Sequence, residues 1–235
     1  MKVLKNYLYN LSYQLLVIVL PVITTPYITR VFSSNDLGSY GYYNSIVTYF
    51  ILLATLGVAN YGTKEISGHR KEVEKTFWGI YSLQVLSTCL AVTLYIVVCL
   101  LVPSMNNPIA YILGFSLLSR GFDISWLFQG LEDFKKITAR NTMVKLLGVV
   151  SIFLFVKKPS DLYLYIILLV AYDLLGQLSM WLPAREHIRK PHLDIAYAKE
   201  HIKPVILLFL PQIAISLYIT LDRTMLSALS STKDV

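Results

Sequence analysis

The chain has 235 residues, of which 55% are hydrophobic and only 15% charged, against roughly 25% charged in soluble globular domains. Residues 8–29, 37–63 and 76–119 contain no Asp, Glu, Lys or Arg, which excludes a soluble fold and points to an all-α polytopic membrane protein, since about 20 apolar residues cover a hydrocarbon core of roughly 30 Å. The net charge of +7 sits in short segments between the apolar runs, where lipid topology rules govern it, so nucleic acid is excluded as a partner.

In chain order, charge and turn residues predict seven spans: residues 8–30, 37–58, 76–102, 109–129, 138–156, 162–184 and 204–226. The charge-free run 76–119 is too long for one crossing. Pro103-Ser104-Met105-Asn106-Asn107-Pro108 in its middle is a turn sequence that divides it into a helical hairpin. The fifth span carries Arg140 and Lys145 in its first turns, and these are expected to snorkel toward headgroups. Cys89 and Cys99 share the third span without histidine or carboxylate neighbours. They read as small core residues, with no disulfide framework, metal site or cofactor implied.

Fifteen of the 21 Lys and Arg fall at the N-terminus and in the second, fourth and sixth connections, and five on the alternate side. The positive-inside rule then places the N-terminus in the cytoplasm. A cleaved signal peptide is not expected, because the first apolar run is too long and no small-residue cleavage site follows it. Leu20-Pro21 followed by Tyr27-Ile28-Thr29 is echoed by Leu210-Pro211 followed by Tyr218-Ile219-Thr220. Parallel repeats of this type build transporters. The expected organisation is a six-helix lobe over residues 1–184, a basic cytoplasmic connector over 185–203, and the first helix of a second lobe over 204–235.

Several stretches in order carry a family resemblance. Pro26-Tyr27-Ile28-Thr29-Arg30-Val31-Phe32 is followed by Leu37-Gly38-Ser39-Tyr40 and by Leu56-Gly57-Val58-Ala59-Asn60-Tyr61-Gly62-Thr63-Lys64-Glu65-Ile66. Further on come Asp123-Ile124-Ser125-Trp126-Leu127-Phe128-Gln129-Gly130-Leu131-Glu132-Asp133-Phe134 and Leu221-Asp222-Arg223-Thr224-Met225-Leu226. Together they resemble the Wzx-type flippases of bacterial O-antigen and capsule synthesis, in the superfamily that includes the MurJ flippase and the MATE exporters. The resemblance implies a V-shaped pair of six-helix lobes around a cavity that alternately faces the two sides of the cytoplasmic membrane. It implies an undecaprenyl-diphosphate-linked oligosaccharide as substrate, membrane lipids as surroundings, and H+ or Na+ as a coupling ion. Members normally have twelve or more helices, so this chain corresponds to about half of one.

Charge inside the bilayer costs about 2.5–3.5 kcal/mol per residue on insertion scales, which singles out Arg120, Asp123 and Asp173. Arg120 lies 11 residues beyond Ile109 and Asp173 lies 11 beyond Leu162, so both are expected at a depth of about 16 Å. Asp123 follows one turn deeper on the face of Arg120. Two readings stay open. Arg120 presents its guanidinium fork to the substrate diphosphate, or the two carboxylates neutralise it in a brace between the fourth and sixth spans. The three residues sum to −1, which would suit a MATE-like exporter of organic cations. Arg30 and the pair Asp222 and Arg223, near the outer ends of the first and seventh spans, are candidate substrate contacts or headgroup anchors.

Gln14, Thr25 and Pro21 share a face of the first span, and Asn44, Thr48 and Thr55 share one of the second. These faces suit either a hydrophilic cavity or interhelical packing. Tyr40, Tyr42, Tyr43 and Trp126 suit sugar stacking or an interfacial belt. Pro21 and Pro211 are either static kinks or points about which the lobes rock. A Walker loop, paired zinc ligands and a nucleophile elbow are all missing from the sequence, so the chain is not expected to be an enzyme. A membrane-embedded polymerase or glycosyltransferase would place catalytic groups in a sizeable external loop, and every predicted external connection is short.

Overall fold

A computed structural model describes residues 2–189, 199 and 201–209. The described chain is helical and without strands: α1 (Lys2–Val31), α2 (Ser34–Thr55), α3 (Val58–Gly68), α4 (Val73–Leu101), α5 (Pro108–Gly121), α6 (Ser125–Gly130), α7 (Phe134–Phe155), α8 (Leu162–Ser179), α9 (Trp181–Ala184) and α10 (201–209). Five stretches within it are long and apolar enough to cross a membrane. The chain is therefore an all-α, multi-pass membrane protein. Of the predicted seventh span only 204–209 is described, and Asp222, Arg223 and Pro211 lie outside the described residues.

Local chemistry sets the helix ends. Ser33 and Asp36 form a reciprocal capping box at the start of α2. The turn sequence after α4 becomes a single 3-10 turn, Pro103–Met105, and Asn107 caps α5 with Pro108 in its first turn. Before α8, Asp161 accepts hydrogen bonds from the amides of Lys157 and Lys158.

The second predicted span ends where the chain turns: Leu56 and Gly57 are both left-handed, with φ of 42° and 73°, and α3 follows as a further helix that the span did not include. The fourth divides at Phe122-Asp123-Ile124, so α5 stops at Gly121 and α6 restarts at Ser125. Asp123 supplies the reason, since its Oδ1 accepts from the Ser125 amide 3.0 Å away in an Asx-type turn that competes with the helix. The segments pack in pairs, α2 against α5 and α3 against α6, and α4 packs on α2, α3 and α5. On the other side α5 packs on α8, α8 on α7, and α7 on α1.

The two ends of the bundle are tied by different bonds. At one end Arg70 pairs with Glu132 at 2.5 Å, Lys136 with Glu186 at 3.1 Å, and the Arg189 amide donates to Glu74. The basic connections after α3, α6 and α9 therefore meet on one face, as loop counting requires. At the other end the Tyr27 hydroxyl donates to the Val156 carbonyl and that of Tyr43 to the Ser104 carbonyl. Between them lie two apolar clusters. One is aromatic, built on Phe77, Trp78, Tyr81 and Trp126; the other is mostly aliphatic and lies where α2, α4, α5 and α8 meet. Cys99 belongs to the second cluster, but Cys89 is exposed on α4 and is not the core residue its sequence context suggests.

Candidate functional site

The break between α5 and α6 frees carbonyls that a continuous helix would have paired, and in a bilayer each must find another donor. Gln84 of α4, only 4% exposed, provides most of them. Its Nε2 donates to the carbonyls of Arg120 at 2.7 Å and Asp123 at 2.9 Å. The Trp126 indole N–H donates to Gln84 Oε1 at 3.0 Å, which fixes which way the amide points. Trp181 donates to the Phe122 carbonyl. Trp126 is thus a buried structural ring stacked on Phe77 rather than a sugar platform or a belt residue.

The stitched break holds three ionisable side chains in place. Arg120 Nη2 lies 2.5 Å from Asp173 Oδ2 on α8, and its Nη1 lies 3.9 Å from Asp123 Oδ2. Ser119 donates to the same Asp173 oxygen. The equal depth expected of Arg120 and Asp173 brings them together. Asp123 is near Arg120 as well, although the chain reaches it by a turn and not by the next turn of one helix. All three are about 30% exposed, because they border open space.

That space is a cavity of about 560 Å³ between α1, α5, α6, α7 and α8. Its α8 wall repeats every four residues, Tyr165, Leu169, Asp173 and Gln177. The α7 wall adds Arg140, Asn141 and Lys145, and α1 adds Leu20, Pro21, Thr24 and Ile28. Arg140 and Lys145 therefore do not simply snorkel away to headgroups. Arg140 donates to Ser125 Oγ at 2.7 Å, which anchors it beside the restart of α6. Three cations, Arg120, Arg140 and Lys145, stand against two carboxylates, Asp123 and Asp173, so the lining sums to +1. The count of −1 from the sequence omitted the fifth span, whose cations fall on the wall that folds over α8. Their spacing was readable; the neighbour they face was not.

Other sequence candidates fall elsewhere. Arg30 is exposed in the last turn of α1 and does not border the cavity. Gln14 and Thr25 are exposed, and Thr24 is the threonine of α1 that reaches the lining. On α2, the hydroxyls of Thr48 and Thr55 bond back to carbonyls of their own helix and stand outside the cavity lining with Asn44. Tyr42 and Tyr43 pack on each other outside the cavity lining, and Tyr40 packs edge-on behind Tyr165 of the lining without bordering the cavity itself. Among the described residues no cluster of His, Cys, Asp and Glu is suited to a metal ion.

Residues 3–235 match the family described as polysaccharide biosynthesis protein. The chain belongs to that family. Two curated relatives carry the name "Putative O-antigen transporter". The one from Escherichia coli (strain K12) is 26% identical over 148 residues, covering 61% of this chain and 36% of the relative. The one from Shigella dysenteriae is 28% identical over 150 residues, covering 60% and 37%. The matched part spans little more than a third of each relative. No solved structure matches. Within the polysaccharide biosynthesis family, then, the broken fourth span and its cavity are the features of this chain that require a functional explanation.

Proposed function

We propose that the chain forms the N-terminal lobe of a flippase that moves an undecaprenyl-diphosphate-linked oligosaccharide across the bacterial cytoplasmic membrane. Residues 1–184 make the lobe, 185–203 a cytoplasmic connector, and 204–235 the first helix of a second lobe. The N-terminus and the basic loop face lie in the cytoplasm. The observation that carries the reading is the sign of the cavity. A net positive lining with two guanidinium groups matches a diphosphate, whose oxygens accept paired N–H donors. The same sign disfavours export of organic cations.

No bond is made or broken in this reading. Arg120 and Arg140 hold the diphosphate while the polar wall of α7 and α8 keeps the glycan out of hydrocarbon. Asp173 compensates Arg120 when substrate is absent, so brace and binding site become two states of one residue. Asp222 and Arg223 would contribute from the second lobe, with H+ or Na+ as the coupling ion, whereas Arg30 is assigned to headgroup anchoring.

The test replaces the chromosomal gene with Arg120→Ala or Arg140→Ala and measures surface polysaccharide together with lipid-linked repeat units on the inner leaflet. Export is expected to fall at least tenfold, with intermediates accumulating and the protein still present in the membrane. Arg120→Lys is expected to recover little, because a point charge lacks the bidentate fork. Normal export by both alanine variants would remove the cavity from the transport path.

A further inference from the structure

The hydrogen-bonding capacity that the cavity leaves unused carries information about its ligand. Gln177 lines the cavity on α8, one turn beyond Asp173, and is only 4% exposed. Its Oε1 is buried and accepts no hydrogen bond from any described residue. A buried acceptor left without a donor is costly, and polar groups are rarely kept in that state unless they serve a ligand or a water. The neighbouring lining shows the contrast. The Tyr172 hydroxyl bonds to Ser151, Thr24 bonds back to the Leu20 carbonyl, and both carboxylates have partners.

One donor is also spare. Arg120 Nε is buried without an acceptor among the described residues, although the same guanidinium pairs with Asp173 through Nη2. Two lining residues therefore each carry an unfilled group buried in the wall: an N–H on a cation and a carbonyl oxygen on a neutral amide. These are opposite requirements. A diphosphate diester carries acceptor oxygens and no donor, so it satisfies Arg120 but has nothing to give Gln177. A hydroxyl donates and carries no charge. An ammonium also donates, but the positive lining opposes it. Gly176, next to Gln177, lets α8 pack closely on α7: a Cβ there would meet Val144 Cγ2 at 3.0 Å and Arg140 Nη1 at 3.6 Å. Gln177 thus sits next in sequence to the point where a cation of the lining approaches α8.

We propose that Gln177 is a specificity-determining contact whose amide oxygen accepts a hydrogen bond from a glycan hydroxyl of the carried molecule. The assignment rests on the cavity being the diphosphate site. It explains why an amide with an unfilled oxygen is kept on α8 beside Tyr172 and Asp173, whose polar atoms have partners, and it assigns the two ends of a glycosyl diphosphate to different walls. Phosphate oxygens go to Arg120 and Arg140, and a sugar hydroxyl goes to α8.

Two soluble probes separate the contributions: inorganic pyrophosphate, which carries the diphosphate without a sugar, and uridine diphosphate glucose, which adds sugar hydroxyls. Binding to the purified chain in detergent is measured by calorimetry, with thermal stability alongside, for the natural protein, Gln177→Met and Gln177→Leu. The Met variant is expected to bind pyrophosphate unchanged, to bind uridine diphosphate glucose about three- to tenfold more weakly, and to melt no lower than the natural protein, since the side chain removed had an unpaired atom. Equal affinity of natural protein and variant for uridine diphosphate glucose, with pyrophosphate bound, overturns the Gln177 assignment alone. A lowered melting temperature in both variants marks a structural amide and also overturns it. Failure of the natural protein to bind pyrophosphate overturns the cavity reading, and this inference with it.

Discussion

Two helix breaks in one lobe are built in opposite ways. The break at Leu56 and Gly57 is made by backbone shape. Gly57 takes φ of 73° and lies so close to α10 that a Cβ would stand 3.2 Å from the Phe209 nitrogen, and the Ala54 carbonyl is satisfied by the Ser87 hydroxyl at 2.7 Å. The break at Phe122-Asp123-Ile124 is made by side-chain chemistry, with Asp123 turning the chain and Gln84 and Trp181 paying back the lost hydrogen bonds. Both breaks lean on the same face of α4, where Gln84 and Ser87 are one turn apart. The difference shows how a membrane protein separates shape from function. A break that only bends the chain is closed with glycine and buried. One that borders a cavity is held by a rigid polar hub, because the charges beside it must keep their positions.

The comparison is broken most severely at Gln84. Gln84→Ala leaves the Asp123 carbonyl and the Trp126 N–H without their partner, while the Arg120 carbonyl keeps the Asp123 amide, at about 1–3 kcal/mol for each unsatisfied group. The expected loss is about 3–5 kcal/mol, read as a large drop in the detergent melting temperature. Arg120 should lose its position and export should fail with it. A melting temperature within a degree or two of the natural protein would show that the break does not depend on the hub.

Removing one member of the Arg120 and Asp173 pair comes next. Loss of one partner of a fully buried pair costs about 3–5 kcal/mol, but side chains 27% and 31% exposed retain some solvent, so about 1–3 kcal/mol is expected here. A double-mutant cycle on Arg120→Gln and Asp173→Asn should give a coupling above about 0.5 kcal/mol, with stability partly restored in the double variant and transport not restored. Coupling below that value would mean the two charges act independently.

The shape-built break should answer to a methyl group and leave transport alone. Gly57→Ala forces a side chain into the left-handed region, at about 1–2 kcal/mol, and presses on the α10 backbone. Stability is expected to fall by that amount while export per folded molecule stays normal. An export defect at unchanged stability would make this break functional too. The smallest effect belongs to the basic face. Arg70 and Glu132 pair while 48% and 53% exposed, so Arg70→Ala should cost less than about 1 kcal/mol and be insensitive to the cavity variants.

Much of this was legible in the sequence, and the misses have one cause. The helical membrane character, the hairpin at Pro103 to Pro108, the meeting of the basic loops on one face and the pairing of Arg120 with Asp173 follow from length, charge and rise per residue, which are properties of the chain alone; five stretches, not seven, are long and apolar enough to cross a membrane among the described residues. The break at Asp123 was signalled locally by Gly121, Asp123 and Ser125, residues that favour helix ends, yet the mostly apolar character of residues 109–129 outweighed them. Trp126 suits sugar stacking or an interfacial belt when read from its own span, because nothing there names Gln84, 42 residues earlier, as its partner.

What the sequence determined by itself was therefore the one-dimensional part: which segments are apolar, where charge is confined, and how far along its span each charge sits. What only the tertiary structure decided was which helix faces which. Lateral neighbours in a membrane are chosen by packing and interhelical hydrogen bonds, without the inside-outside hydrophobic signal that orients helices in water. Placing α7 over α8 brings Arg140 and Lys145 onto the same lining as Asp173. That one packing choice turns a lining of net −1 into one of net +1, and with it the class of molecule the cavity can hold.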